Sequence, residues 1–278
     1  MIPLKQLLLE YQQKHWALPA FNIDSFEIYQ AVETAVLETN LPCIVQLSPG
    51  EEAFVHSDRL LMLVKKANAD SLPIYLNMDH GININNLETA IRLGFDMVHF
   101  DGSKMDYQTN LAATKYFIDK VKTINPEILI EAEFNHINLI DTLPSPDSFT
   151  DPLKAQEFMT ATGADLFAVS IGNLHGVNTN IPEHINISLL SQIKEKLGNT
   201  PLTLHGGSGI SPDQVKSAIN LGVVKININT DLRLRFIESL RHQLTIQSSE
   251  KVYEYLTPVV NDLKETIKQK LINFTQNV

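Results

Sequence analysis

Three histidines of this chain, His80, His175 and His205, each follow a short apolar run and each precede a glycine, in the segments NMDHG, SIGNLHG and TLHGGSG. If those runs are strands of one parallel sheet or barrel, their ends converge, and three neutral imidazoles with an open fourth position make a catalytic zinc site. Glycine after each histidine lets a backbone approach a ligand closely. Asp79, immediately before His80, stands at the rim of the same cavity, where a carboxylate serves as general acid or base. His15, His56, His99, His136, His184 and His242 have no following glycine at a strand end, and they read as surface or packing residues.

The segment HGGSGISPDQV at 205–215 carries a second chemistry. Gly206, Gly207 and Gly209 free the backbone to turn its N–H groups toward one ligand, Ser208 adds a hydroxyl, and a helix begins near Ser211, which together cradle a phosphate. The later segment KININTDLR places Asn227, Asn229 and Thr230 beside it, at the position where TIM barrels bind phosphate between their seventh and eighth loops. Lys225, on the same side of that strand, suggests a Schiff base. Its deeper position and the uselessness of three histidines to such a mechanism count against it. Cys43, in the apolar run CIVQLS, is the single cysteine; it reads as a buried, inert thiol.

The elements that must position these groups are legible as alternation. Near-continuous apolar runs fall at about 17–23, 43–48, 73–79, 97–102, 128–134, 166–172, 202–207 and 223–229, the pattern of strands buried on both faces. Amphipathic stretches lie between them, at 26–39, 86–93, 108–124, 152–162, 187–197, 212–221 and 231–246, and a further helix is expected at about 258–276. Eight β-α units predict an α/β fold, a (β/α)8 TIM barrel with an extra C-terminal helix, as one domain over residues 1–278, with a doubly wound sheet as the alternative. The joints LGFDMVHFDG and LGVVKININT share a glycine helix cap before a strand. The stretch 135–151 is too long and too rich in Pro, Asp and Ser for an ordinary connection; on a barrel it lies on the histidine face as a candidate lid.

Composition bounds the partners. A chain of 278 residues, 44% hydrophobic, has enough apolar content for one large core. A net charge of −10 without a dense basic run argues against nucleic acid. The N-terminus lacks a signal-peptide pattern and no run approaches a membrane span, so a cytoplasmic protein is expected.

These motifs, AFNIDSFEIYQAV, QLSPG, MDHG, AIRLGFDMVHFDGS, EAEF, TDPLKAQEF, IGNLHG, HGGSG and KININTDLR, run nearly end to end, and the chain resembles the class II, metal-dependent ketose-bisphosphate aldolases. The resemblance implies a barrel that assembles as homodimers or homotetramers and acts on a small sugar phosphate in carbohydrate metabolism such as glycolysis. It implies zinc on His80, His175 and His205, with Glu133 a carboxylate facing the metal in some members, and a monovalent cation in some. Asp79 would be the acid/base at the bond that breaks. Gly176, Gly206, Gly207, Ser208, Asn227, Asn229 and Thr230 would hold the dihydroxyacetone phosphate portion, Asp101 and Ser103 match polar residues at the fourth strand end, and Arg233 matches a distal-phosphate contact. The activity implied is reversible cleavage of a ketose (bis)phosphate, such as fructose or tagatose 1,6-bisphosphate, into dihydroxyacetone phosphate and an aldehyde.

Two segments depart from the family pattern. Where the family carries ELGxxGGxED, this chain has EFNHINLIDT, so the loop glutamate that reprotonates carbon falls opposite Asp141. The Tyr-Asp-Pro-Arg-like segment before the last helix is replaced by KVYEYLTP at 251–258, without arginine. A metal- and sugar-phosphate-binding homologue with little aldolase activity is the alternative reading. A barrel zinc hydrolase is a third, but the first strand, AFNID, lacks the His-x-His step of many such enzymes.

Overall fold

The computed structural model describes residues 1–137, 148–174, 176 and 184–275. Eight parallel strands, β1 (Leu18–Asn22), β2 (Cys43–Leu47), β3 (Ile74–Gly81), β4 (Met97–Asp101), β5 (Leu129–Glu133), β6 (Leu166–Val169), β7 (Leu202–Leu204) and β8 (Val223–Ile228), follow one another around a closed barrel. Closure is made by β8 on β1, with Leu18 opposite Lys225 and Phe21 opposite Ile228. All eight expected strands are present, and the TIM barrel follows from them.

The helices differ from expectation in three places. Helix α1 (Leu4–Lys14) precedes the barrel, and α3 (Pro49–Val55) and α4 (Ser57–Ala69) fill the β2–β3 connection, where no helix had been read. Between α1 and α3, α2 (Phe26–Thr39) starts at Ser25, whose hydroxyl accepts from the Ile28 N–H, a capping bond typical of serine. The final helix, α11 (Val252–Thr275), starts earlier than the expected 258 and carries Pro258 inside it. The remaining helices α5 (Ile84–Leu93), α6 (Tyr107–Lys122), α7 (Pro152–Thr162), α8 (Ile187–Leu197), α9 (Pro212–Asn220) and α10 (Thr230–Ile246) lie where amphipathic periodicity placed them. The lid reading of 135–151 falls mostly on 138–147, outside the described residues.

Two apolar layers divide the core. Strand residues such as Phe21, Val45, Phe100 and Phe167, with helix residues such as Phe117 and Phe158, form the outer one. Inside the barrel, Leu18, Ile44, Tyr75, Met97, Leu129 and Leu166 form a floor that Leu4, Leu7, Leu8 and Tyr11 of α1 seal from below. This explains the first helix: its apolar stripe plugs the open N-terminal end of the strands. Two residues further along β2 to β5 the inward positions become polar, Gln46 after Ile44, Asn77 after Tyr75, His99 after Met97 and Glu131 after Leu129. Strand alternation therefore delivers a polar chamber above an apolar floor, on the C-terminal face.

At the β3–β4 joint, the Asp96 carboxylate accepts from the Leu76 N–H at 2.8 Å. Burial raises its pKa from 3.8 to about 6, the bond from Leu76 opposing. The folded state thus binds more protons than the unfolded state between those values, and stability falls as pH rises through that window. Asp96→Asn, which keeps a carbonyl acceptor for Leu76, is expected to stabilise the protein at pH 7.5 by up to about 3 kcal/mol. Urea denaturation of the two proteins at pH 7.5 and pH 4 checks this, the advantage vanishing at the lower pH.

Candidate active site

The site is built around an irregularity in β3. Met78 pairs with Val98 and Gly81 with Phe100, so Asp79 and His80 together oppose the single residue His99. Consecutive strand residues ordinarily point to opposite faces; a bulge re-aims one of them, and here both Asp79 and His80 reach the chamber. His80 takes a left-handed backbone, φ +51°, at a cost of about 1–3 kcal/mol for a residue with a Cβ. Gly81 follows because a Cβ there would lie 2.2 Å from Leu87 Cδ2.

Two imidazoles meet at this point. His80 Nδ1 lies 2.8 Å from Asp101 Oδ2, and His205 Nε2 lies 2.7 Å from Glu131 Oε1. Each carboxylate holds the N–H of its ring, the arrangement that orients metal-binding histidines, and turns the other nitrogen's lone pair inward. Those nitrogens, His80 Nε2 and His205 Nδ1, stand 3.1 Å apart. Two lone pairs so close need a proton or a cation between them, and zinc bonds of 2.0–2.1 Å in tetrahedral geometry separate donors by roughly 3.3 Å. Burial lowers the His205 pKa to about 4 against the pull of Glu131, leaving the ring neutral. The donor set fits a zinc-like ion. His175, the third expected ligand, lies outside the described residues.

Asp79 is buried and 3.9 Å from His80 Nε2. Gln46 Nε2 donates to its Oδ2 at 3.0 Å and Asn227 Nδ2 approaches at 3.3 Å. Burial opposes its charge, yet His80 and Lys225 hold it below the usual carboxylate range, so it is ionised. Glu133, by contrast, is pushed well above that range by burial and by Asp101. Its Oε2 has no hydrogen-bond partner among the described residues and faces His99 Nε2 at 3.5 Å. Lys225 is fully buried with Nζ 3.0 Å from Glu131 Oε2, away from the cavity lining, as its depth in the strand suggested.

The phosphate-cradle motif lies beside this cluster. Gly206, Ser208, Asn227, Asn229, Thr230 and Gly176 line one cavity of about 470 Å3 together with Asp79, His80 and Glu133. Gly206 takes φ +65°, and a Cβ on it would fall 1.9 Å from the Leu174 carbonyl oxygen. Gly207 is packed behind the lining, its N–H donated to the Asn227 carbonyl at 3.0 Å. The Ser208 hydroxyl accepts from Asp231 N–H at 3.2 Å, tying the turn to the first turn of α10.

Arg233, at the rim, is engaged by carboxylates of its own chain: it bonds Asp24 and places Nη2 2.7 Å from Glu51 Oε1. From Glu51 a buried chain runs through Asn22 (2.8 Å) and Gln46 (2.8 Å) to Asp79. Asn229 joins it, its Nδ2 donating to Glu51 at 2.9 Å. Asp141 lies outside the described residues.

The reading of His99 as a surface or packing residue needs correction. It is fully buried, and its ring lies 4.9 Å from that of His80 and 5.0 Å from that of His205. Asp79, His80, His99 and His205 have donor atoms close enough to share one ion. The signal was present as period-two spacing, since Met97, His99 and Asp101 share a strand face, as do Leu129, Glu131 and Glu133. Glu131, Glu51, Gln46 and Asn22 were missed as well.

A barrel with paired nitrogen donors, an ionised carboxylate and a glycine-rich turn in one cavity points to a class of protein. Residues 2–277 match the family described as fructose-bisphosphate aldolase class-II. A fructose-bisphosphate aldolase of Mycoplasma pneumoniae is 31% identical over 249 residues, covering 87% of this chain and 84% of its own length. The chain belongs to the class II fructose-bisphosphate aldolase family. Among solved structures, the YdjI aldolase from Escherichia coli K12 is similar with a TM-score of 0.84 at 27% identity, over 98% of this chain and 96% of that one. A fructose-bisphosphate aldolase from Campylobacter jejuni shares the fold, with a TM-score of 0.79 at 19% identity over 99% and 95% of the two chains.

Gly206→Ala is expected to destabilise the fold by about 3 kcal/mol or more, because backbone strain and a backbone clash coincide. The shift in the urea midpoint relative to Gly209→Ala checks it.

Proposed function

We propose that this chain is a metal-dependent aldolase that reversibly cleaves a ketose (bis)phosphate, such as fructose or tagatose 1,6-bisphosphate, into dihydroxyacetone phosphate and an aldehyde. The observation that carries the reading is an ionised, buried Asp79 beside two inward-facing imidazole nitrogens, in the same cavity as the Gly206–Ser208 turn. His80 and His205 would hold the ion, with His175 joining them by the family pattern. When bound, zinc supplies Lewis acidity to the ketone and neighbouring hydroxyl oxygens of the substrate.

The chain's own groups perform the remaining work. Ser208, Asn229 and Thr230, with the backbone at Gly206 and Gly176, seat the phosphate at the start of α10, at the positive end of that helix's dipole. This fixes the sugar chain with its C4 hydroxyl toward Asp79. Asp79 takes that proton during cleavage and returns it to the aldehyde oxygen in condensation, while Gln46 and Asn227 hold its carboxylate in place. Asp101 and Glu131 keep His80 and His205 in the orientation that exposes a lone pair. Asp141 is assigned to return a proton to the carbon left after cleavage. Arg233 shares its charge with Asp24 and Glu51, and this pairing favours testing monophosphates beside bisphosphates.

Metal-loaded protein, offered fructose 1,6-bisphosphate, tagatose 1,6-bisphosphate and a panel of ketose monophosphates, is expected to release dihydroxyacetone phosphate from at least one, read by a coupled trap. No cleavage with metal confirmed bound overturns the aldolase reading in favour of a binding homologue. Asp79→Ala is expected to lower turnover by about 10²–10⁴-fold while metal content is unchanged; surviving activity would show that another group moves the proton. Asp141→Ala is expected to slow solvent-proton exchange into dihydroxyacetone phosphate more than C–C cleavage, and equal losses would remove its assigned role.

A further inference from the structure

We propose that His99 is a positioning residue for the metal centre: its imidazole replaces the hydrogen-bond acceptor that the β3 bulge removes, and so holds His80 in its ligand geometry. The inference rests on the metal-site reading above and concerns a side chain outside the expected ligand set.

The bulge creates a specific deficit. In a regular parallel ladder the strand N–H groups are met by carbonyls of the neighbour, but Asp79 and His80 share one opposing residue, His99. The N–H of His80 is instead donated to His99 Nδ1 at 3.2 Å. A buried N–H without an acceptor is costly, so the acceptor stabilises the bulged backbone over a regular one. His80 sits in the left-handed region, φ +51°, where a residue with a Cβ stays only if its surroundings hold it. Were the backbone to relax, His80 would rotate away from the sheet face that carries Asp79.

The rest of the His99 environment makes it a rigid prop. Its side chain is fully buried, as are Asp79 and Glu131, whose oxygens lie 3.4 Å and 3.8 Å from Nδ1. Nδ1 accepts from the amide, and Nε2 lies 3.5 Å from Glu133 Oε2 without a hydrogen bond among the described residues. The ring also packs against both His80 and His205, at 59° and 71° between planes. One side chain thereby sets the backbone of one ligand and abuts the ring of the other.

The test separates acceptor chemistry from packing. His99→Asn keeps an acceptor at the δ position, His99→Leu removes it, and His99→Gln leaves a polar end near Glu133 without a δ acceptor, serving where the leucine variant does not fold. Zinc affinity by chelator competition, the visible spectrum of the cobalt(II)-loaded protein and the melting temperature of the metal-free protein are measured for each. The expected result is affinity within about threefold of wild type for His99→Asn, and a loss of about 10–100-fold, with an altered cobalt spectrum, for a folded His99→Leu or His99→Gln. Wild-type affinity and spectrum in a folded variant without the acceptor overturn the inference, as does an equal loss in His99→Asn. A wild-type protein that takes up no metal overturns the metal-site reading itself, which distinguishes the two failures.

Discussion

Four carboxylates converge inside the barrel mouth, Asp79, Asp101, Glu131 and Glu133, and the need to balance their charge governs the site. Among the described residues in contact with them, Lys225 is the one permanent cation, and it serves Glu131. The imidazoles supply the remaining donors: burial opposes charge on all three and prevails at His205, while the neighbouring carboxylates outweigh it at His80 and His99 and raise their pKa. Such a cluster is costly to desolvate unless every charge is paired. A divalent ion between His80 Nε2 and His205 Nδ1 would relieve the facing lone pairs and take the place of a shared proton there, so the geometry of the donors suits such an occupant.

Separation of roles follows from how the carboxylates are solvated. Asp101 and Glu131 are spent on the backs of His80 and His205 and are held below the usual range, burial opposing, by those rings and, for Glu131, by Lys225. Asp79 receives amide donors instead and remains ionised. Glu133 receives neither and holds its proton. Four like groups within one chamber thus differ in protonation because their surroundings differ, and the ionised carboxylate that amides hold in place at the cavity wall is the one suited to move a proton.

The polar chain from Arg233 through Glu51, Asn22 and Gln46 to Asp79 links the rim to the reacting end across β1, β2 and β3. Each member of the chain carries at least one partner fixed by a strand or helix start. Ser48 N–H and Asn229 Nδ2 both meet Glu51 at 2.7 Å and 2.9 Å, so the carboxylate is placed by two loops as well as by the arginine. Positioning of Asp79 is therefore shared among several elements, as is usual for a site built at barrel strand ends.

The eight strands, the barrel and the motif residues His80, Asp79, His205 and Gly206–Ser208 were legible in the amino-acid order, because burial on both faces leaves continuous apolar runs and glycine marks close backbone approach. Helix α1 was not, since its apolar face makes sense only as a plug for an open barrel end, and neither was the α3–α4 pair. His99 and Glu131 were hidden for a related reason: an inward strand position reads as core until the barrel's apolar floor ends beneath it. The sequence by itself determined the fold, the family and several of the residues that gather at the strand ends. The tertiary structure alone decided that β3 bulges, that His80 and His205 face each other at 3.1 Å, and that His99 stands where a backbone acceptor is missing. These are relations between strands, set by register across the barrel, and register is a property of pairing that no single segment contains.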